Sequence, residues 1–167
     1  YNLPATYFNG LSGIGTGIIW LLNNNFIDGD PDEILVEIDL IMQNISYSRS
    51  LTTPGLAEGV CGPAFYLYQR ILQSQNQKNL NTLRSKAAII NYVDWLETFL
   101  IPDLNNEDLW DIYFLLVRLY KLDIYNYKIE RLINLCLEIS AKKEIIHPED
   151  KYEYLGIPSL KILTPWI

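Results

Sequence analysis

Two cysteines, one histidine and a few carboxylates are the residues here whose types suit chemistry. Cys61 lies between glycines in Gly59-Val60-Cys61-Gly62. At a helix start its thiolate would be favoured by the positive end of the helix. The same position also suits a small side chain that packs closely. Cys136 sits among Ile129, Leu132, Ile133 and Ile139, on an apolar helical stripe, and reads as a small core hydrophobe. His147 precedes Pro148 in a polar loop and reads as solvated. The three have ligand types that zinc accepts. No CxxC or HxxxH spacing supports such a site, so no metal ligand is assigned.

The carboxylates divide into two groups. Glu58 stands in a glycine-rich stretch, while Asp94, Glu97, Asp108 and Asp111 stand near Trp95 and Trp110. Paired carboxyls beside aromatic platforms are what a glycosidase needs. The same residues also read as solvated helix faces and caps. Asp28, Asp30, Asp32 and Glu33 alternate as in a calcium loop, but the loop is short and Pro31 intrudes. They fit a helix start better: Asp30 as N-cap, Pro31 at the first helical position and Glu33 completing a capping box.

The elements that must carry these residues are helical. The chain has 167 residues and a formal charge of −7, and 49% of it is hydrophobic. That is enough for one domain, 1–167, burying roughly 70% of its unfolded surface. The acidic balance excludes a nonspecific nucleic-acid binder, which needs a basic surface. No apolar run approaches the ~18 residues of a membrane span. Tyr1-Asn2-Leu3-Pro4 lacks the basic and apolar regions of a signal peptide, and the two thiols read as unpaired. The expected compartment is therefore the cytoplasm.

Helical spacing dominates. Leu11 to Asn23 is apolar nearly all round and reads as an inner helix, stopped by Asn23-Asn24-Asn25. Ile34, Ile38, Ile41 and Ile45 form the stripe of a second helix, and Val60, Ala64, Leu67 and Ile71 that of a third. A fourth runs from about Asn81 to Leu100, where Ile101-Pro102 ends it. Asn105 or Asn106 caps a fifth carrying Leu109, Ile112, Tyr113, Leu116, Leu119 and Tyr120, and Asn126 caps a sixth. Lys151 to Ile167 is apolar but broken by Pro158 and Pro165, with a helical turn expected near Ser159 to Leu163.

Six helices thus arrive in three pairs. The lead-in Gly10-Leu11-Ser12-Gly13-Ile14-Gly15-Thr16-Gly17 recurs 45 positions later at Gly55 to Gly62, a period suited to an α-hairpin repeat. The third pair keeps the period without the glycines, and Tyr154-Leu155-Gly156-Ile157 reads as a decayed fourth lead-in. Glycine beside a helix is costly, so it needs a reason. Close packing of helix ends is one. Exposed N–H groups that hold an anion or a polar ligand are the other, with Gly13, Gly15, Glu58, Gly59 and Cys61 as the candidate binding residues. The pattern is neither a dinucleotide fingerprint, since no strand precedes it, nor a P-loop, since no Lys-Ser or Lys-Thr follows.

Gly55-Leu56-Ala57-Glu58-Gly59-Val60-Cys61-Gly62 resembles the repeated Gly-Leu-Ala/Ser-His-Gly-x-x-Gly of lanthionine synthetase C-like (LanC-like) proteins, with Glu58 where His is usual. Gly10 to Gly15 followed by an apolar helix is similar to a hairpin of the same family. The resemblance implies an all-α fold, helical hairpins arranged as a partial α/α toroid. It also implies a role in modifying a ribosomally made peptide, whose dehydrated residues such enzymes join to Cys thiols. Their zinc is held by Trp-Cys-x-Gly and Cys-His-Gly motifs, and this sequence has neither. No catalytic residue and no cofactor is therefore expected, and zinc would belong only to a complete member. A complete ring also needs more hairpins than this chain holds. The expected partner is a peptide or protein, with self-association as a way to complete the ring. Two readings stand beside this one: a non-catalytic helical-repeat module binding a peptide or protein, and a carbohydrate-active α/α toroid using paired carboxylates.

Overall fold

The computed structural model describes residues 3–74 and 79–143. The helices in these residues are α1 (Leu11–Asn23), α2 (Pro31–Ile34), α3 (Val36–Ser48), α4 (Cys61–Gln73), α5 (Leu80–Glu97), α6 (Asn106–Tyr120) and α7 (Asn126–Lys142). His147, the expected fourth lead-in at Tyr154-Leu155-Gly156-Ile157 and the expected turn at Ser159 to Leu163 lie outside the described residues.

The helices pack as two rows. In one row α1 lies on α4 and α4 on α6; in the other α3 lies on α5 and α5 on α7. Each helix of the first row also packs on its sequence successor in the second: α1 on α3, α4 on α5 and α6 on α7. The fold is all-α, built from three helical hairpins side by side. Buried side chains from all of these helices except the one-turn α2 join in one core.

The local signals explain most boundaries. Asp30 Oδ1 accepts from Asp32 N at 2.9 Å, with Pro31 at the first helical position. Asn105 Oδ1 accepts from Asp108 N at 2.9 Å, and Asn79 Oδ1 from Thr82 N at 2.8 Å. These side chains satisfy N–H groups that a helix start leaves unpaired. The stripes of α4 and α5 are core: Val60, Ala64, Leu67, Ile89, Val93 and Leu96 are fully buried.

Five expectations need correction. The second helix is not continuous. It breaks at Leu35, which leaves the one-turn α2 before α3. Its most buried face is Leu35, Asp39, Met42 and Ser46; of the isoleucine stripe, Ile38 and Ile45 pack partly buried against the core, while Ile34 and Ile41 are exposed. The helix is turned because Asp39 has an inward partner, described below. The cap of α7 is Tyr125 in the left-handed region (φ 62°), not Asn126, whose Nδ2 instead donates to Asp123 Oδ1 at 3.0 Å. α5 ends at Glu97, short of Leu100. Tyr120 of α6 is exposed rather than core.

Candidate functional site

The N-termini of α1, α4 and α6 meet at one end of the first row. Tyr7 N and Phe8 N both donate to Ala57 O at 3.0 Å, which ties the loop before α1 to the loop before α4. Leu56 N donates to Asp111 Oδ2 at 2.8 Å, which ties that second loop to α6. Where the third hairpin lacks glycines, a carboxylate side chain takes their place in the chain of contacts.

The two glycine-rich loops are the same structure twice, in a register the sequence period missed. A Cβ on Gly10 would stand 2.3 Å from Pro4 O and 2.6 Å from Thr6 O; one on Gly59 would stand 2.4 Å from Thr53 O and 2.7 Å from Gly55 O. In each case the crowding atoms lie six and four residues upstream. Gly13 and Gly62 repeat the relation, with Tyr7 O at 1.9 Å and Leu56 O at 2.8 Å. Leu11 N donates to Pro4 O at 2.8 Å, and Val60 N to Thr53 O at 2.9 Å. The equivalent residues are therefore 49 positions apart, Gly10 with Gly59, and the 45-residue period is corrected. The longer spacing arises because Gly10-Leu11-Ser12-Gly13 matches Gly59-Val60-Cys61-Gly62, not the stretch that opens at Gly55. Cys61 N donates to Pro54 O at 3.0 Å; at the equivalent position the Ser12 hydroxyl donates to Ala5 O at 2.8 Å.

This geometry places each candidate residue. Gly13 and Gly59 lie at the same end, linked through Tyr7, and both have a steric reason to lack a side chain. Gly15 lies deeper, where a Cβ would stand 2.4 Å from the Tyr66 ring, so it lets α1 settle on α4. Glu58 is exposed on the rim, as is Ala57. Cys61 is fully buried, and burial pushes its thiol up, with the Asp111 and Asp108 carboxylates adding to the shift. The helix start does not win there, and Cys61 is a neutral, packed thiol. Cys136 is buried likewise, its thiol pushed up to about 12 by desolvation. Both cysteines are free. A zinc of the kind the resemblance implies finds no fitting donor set: among the described residues no three His, Cys, Asp or Glu side chains group as ligands. Beside this end lies an open hollow lined by Tyr7, Phe8, Asn9, Gly10, Gly13 and Ile14. Thr6 Oγ1, in the loop before α1, is buried without a hydrogen-bond partner among the described residues.

The acids of the carbohydrate reading are spread over different tasks. Glu97 pairs with Lys128 and Arg131 of α7, and Asp94 accepts from Tyr125 Oη at 3.2 Å with Lys128 Nζ at 3.6 Å. The Lys128 hydrogen bond holds the Glu97 carboxyl below its ordinary value, against a smaller opposing effect of burial. A carboxyl held ionised is poorly suited to act as a general acid. Asp108 accepts from Asn105 Nδ2 at 2.6 Å in the start of α6.

The densest polar constellation is one the sequence reading passed over. Asp39 is fully buried and accepts from Arg70 Nε at 3.0 Å and Arg70 Nη2 at 2.9 Å, from Tyr66 Oη at 2.5 Å and from Asn81 Nδ2 at 2.6 Å. Arg70 Nη2 also donates to Asp32 Oδ1 at 2.6 Å, and Asn79 Nδ2 donates to Asp32 Oδ2 at 2.6 Å. Gln43 Nε2 donates to Asn81 Oδ1 at 2.8 Å. Burial alone would lower the Arg70 pKa; its bonds to Asp39 and Asp32 outweigh that and raise it. Burial and the Asp39 carboxylate raise Tyr66. With its hydrogen bonds filled, this cluster clasps α2, α3, α4 and the start of α5. The available signal was Arg70 among the apolar positions of α4 and Asp39 between Leu35 and Met42 at helical spacing.

No helix among the described residues is long and apolar enough to cross a membrane. No protein-family model matches the chain, and neither a curated protein nor a solved structure is significantly similar to it.

Proposed function

We propose that this chain is a LanC-like helical-hairpin domain that serves the modification of a ribosomally made peptide by binding rather than by chemistry of its own. The observation that carries the reading is the repeated loop-and-helix start, Gly10 with Gly59 and Gly13 with Gly62, stacked at one end of a helix row. Two rows of helices joined as hairpins are the arrangement from which an α/α toroid is cut. The working surface is the end that bears the open hollow beside Phe8 and the exposed Glu58. The cytoplasm remains the proposed compartment, the thiols being unpaired.

The test uses a fluorescent synthetic peptide bearing dehydroalanine and one cysteine, with its serine counterpart as control. Anisotropy should show tighter binding of the dehydrated peptide, and the peptide's free thiol should persist at the rate seen without protein. Equal or absent binding of both peptides overturns the reading; accelerated loss of the thiol overturns its non-catalytic part.

A further inference from the structure

Among the described residues, the free flank of α1 combines exposed apolar side chains, a helix without charged residues and a glycine that no neighbour requires. α1 turns Ser12, Gly15 and Ile19 into the protein. On the other side Ile14 and Trp20 are exposed, and a Cβ on Gly17 would meet nothing within 4 Å. At 3.6 residues per turn, Ile14 and Leu21 lie within about 60° of Gly17 on one side, and Gly13 and Trp20 within about 60° on the other. Glycine inside a helix costs up to about 1 kcal/mol. Gly10, Gly13, Gly15, Gly59 and Gly62 each have a neighbour that forbids a side chain, and Gly17 has none. In the 49-residue register its counterpart is Tyr66, whose ring sits on Gly15 of α1. The Gly17 face of α1 thus corresponds to the face of α4 that α1 covers.

We infer that a second copy of this chain covers it, α1 against α1, with Gly17 at the crossing point. Charge selects this occupant. The chain carries −7 overall, yet residues 1–27 contain no Asp, Glu, Lys or Arg. Two acidic copies meet no like charge there, whereas a basic partner would find nothing on the face to pair with. An uncharged apolar face with a small centre is complementary to itself, as a two-fold contact requires. Area agrees. Phe8 is 75% exposed, Trp20 57% and Phe26 66%, and Trp20 stacks on Phe26 with centroids 5.4 Å apart. At roughly 200 Å² per aromatic side chain, these three offer on the order of 400 Å². That is about half of the ~800 Å² per partner in a standard interface, before Ile14 and Leu21 are counted. This face shares Phe8, Gly13 and Ile14 with the hollow of the peptide-binding proposal, so self-association and peptide would compete for that edge, and the chain without peptide tests the inference by itself.

Sedimentation velocity over a range from about 1 to 100 µM tests it. The full chain should pass from monomer to dimer. Gly17→Glu, which sets two like charges across the two-fold, should raise the dissociation constant by about 100-fold or more. Leu83→Glu, at a residue 62% exposed on α5, should leave it unchanged. Circular dichroism confirms the fold of each variant. Gly17→Cys gives a second readout: both native cysteines are buried, so oxidation should link two copies through position 17 alone. A wild-type chain that stays monomeric, a dimer indifferent to Gly17→Glu, or a Gly17→Cys chain that does not cross-link overturns the inference.

Discussion

Asp39 and Arg70 show how far one buried pair can organise its surroundings. A fully buried carboxylate is tolerable only when its lone pairs are filled, and Asp39 is held by Arg70, Tyr66 and Asn81 together. Removing one partner leaves an uncompensated charge. Arg70→Met is therefore expected to destabilise the protein by about 3–5 kcal/mol in urea unfolding. The double variant Asp39→Leu with Arg70→Met should recover part of that loss, since it removes the fully buried carboxylate and leaves only Asp32, which is partly exposed and keeps its bond from Asn79. Thr6 gives the opposite case. Its hydroxyl is buried without a partner among the described residues, so Thr6→Val should raise stability by about 1 kcal/mol, read as an upward shift in Tm.

At the scale of an element, the glycines of α1 separate into those that packing requires and one that it does not. A Cβ on Gly13 would stand 1.9 Å from the Tyr7 carbonyl oxygen, a backbone atom that cannot step aside cheaply. Gly13→Ala should destabilise by about 2 kcal/mol or more, by overpacking. Gly17→Ala should instead stabilise by up to about 1 kcal/mol, because the space is open and alanine favours the helix. Thermal melts at a concentration where the chain is monomeric check both. Opposite signs for two glycines four residues apart would show that α1 is pinned at its start and free along its flank.

For the whole molecule, few charged links join helices among the described residues, and the one between α5 and α7, neighbours within the second row, is the most exposed to pH. The Glu97 carboxyl, held below its ordinary 4.5 by Lys128 and Arg131, is ionised more readily in the folded state than in the unfolded state. Its contribution is fully present above the unfolded value and is lost as pH falls through the folded one. Acid unfolding followed by circular dichroism should therefore show a loss of stability below pH 4.5, and Glu97→Gln should flatten that limb. The effect is modest, because the pair is partly exposed and screened.

Helix type, the caps at Asp30 and Asn105, the stripes of α4 and α5 and the glycine-started loops were legible in the sequence, because capping and 3.6-residue spacing are local properties of the chain. The turning of α3, the 49-residue register and the Asp39–Arg70 cluster were decided only by the tertiary structure. Asp39 faces inward because Arg70, 31 residues away, waits there, and no local pattern records a partner at that distance. Gly10 matches Gly59 because carbonyl oxygens six and four residues upstream crowd each of them, a relation that exists only once the loops have closed. The glycine-rich loops divided in the same way: their glycines stood out along the chain, while whether Cys61 is a thiolate or a packed thiol depended on burial and on the Asp111 and Asp108 carboxylates that folding brings to it.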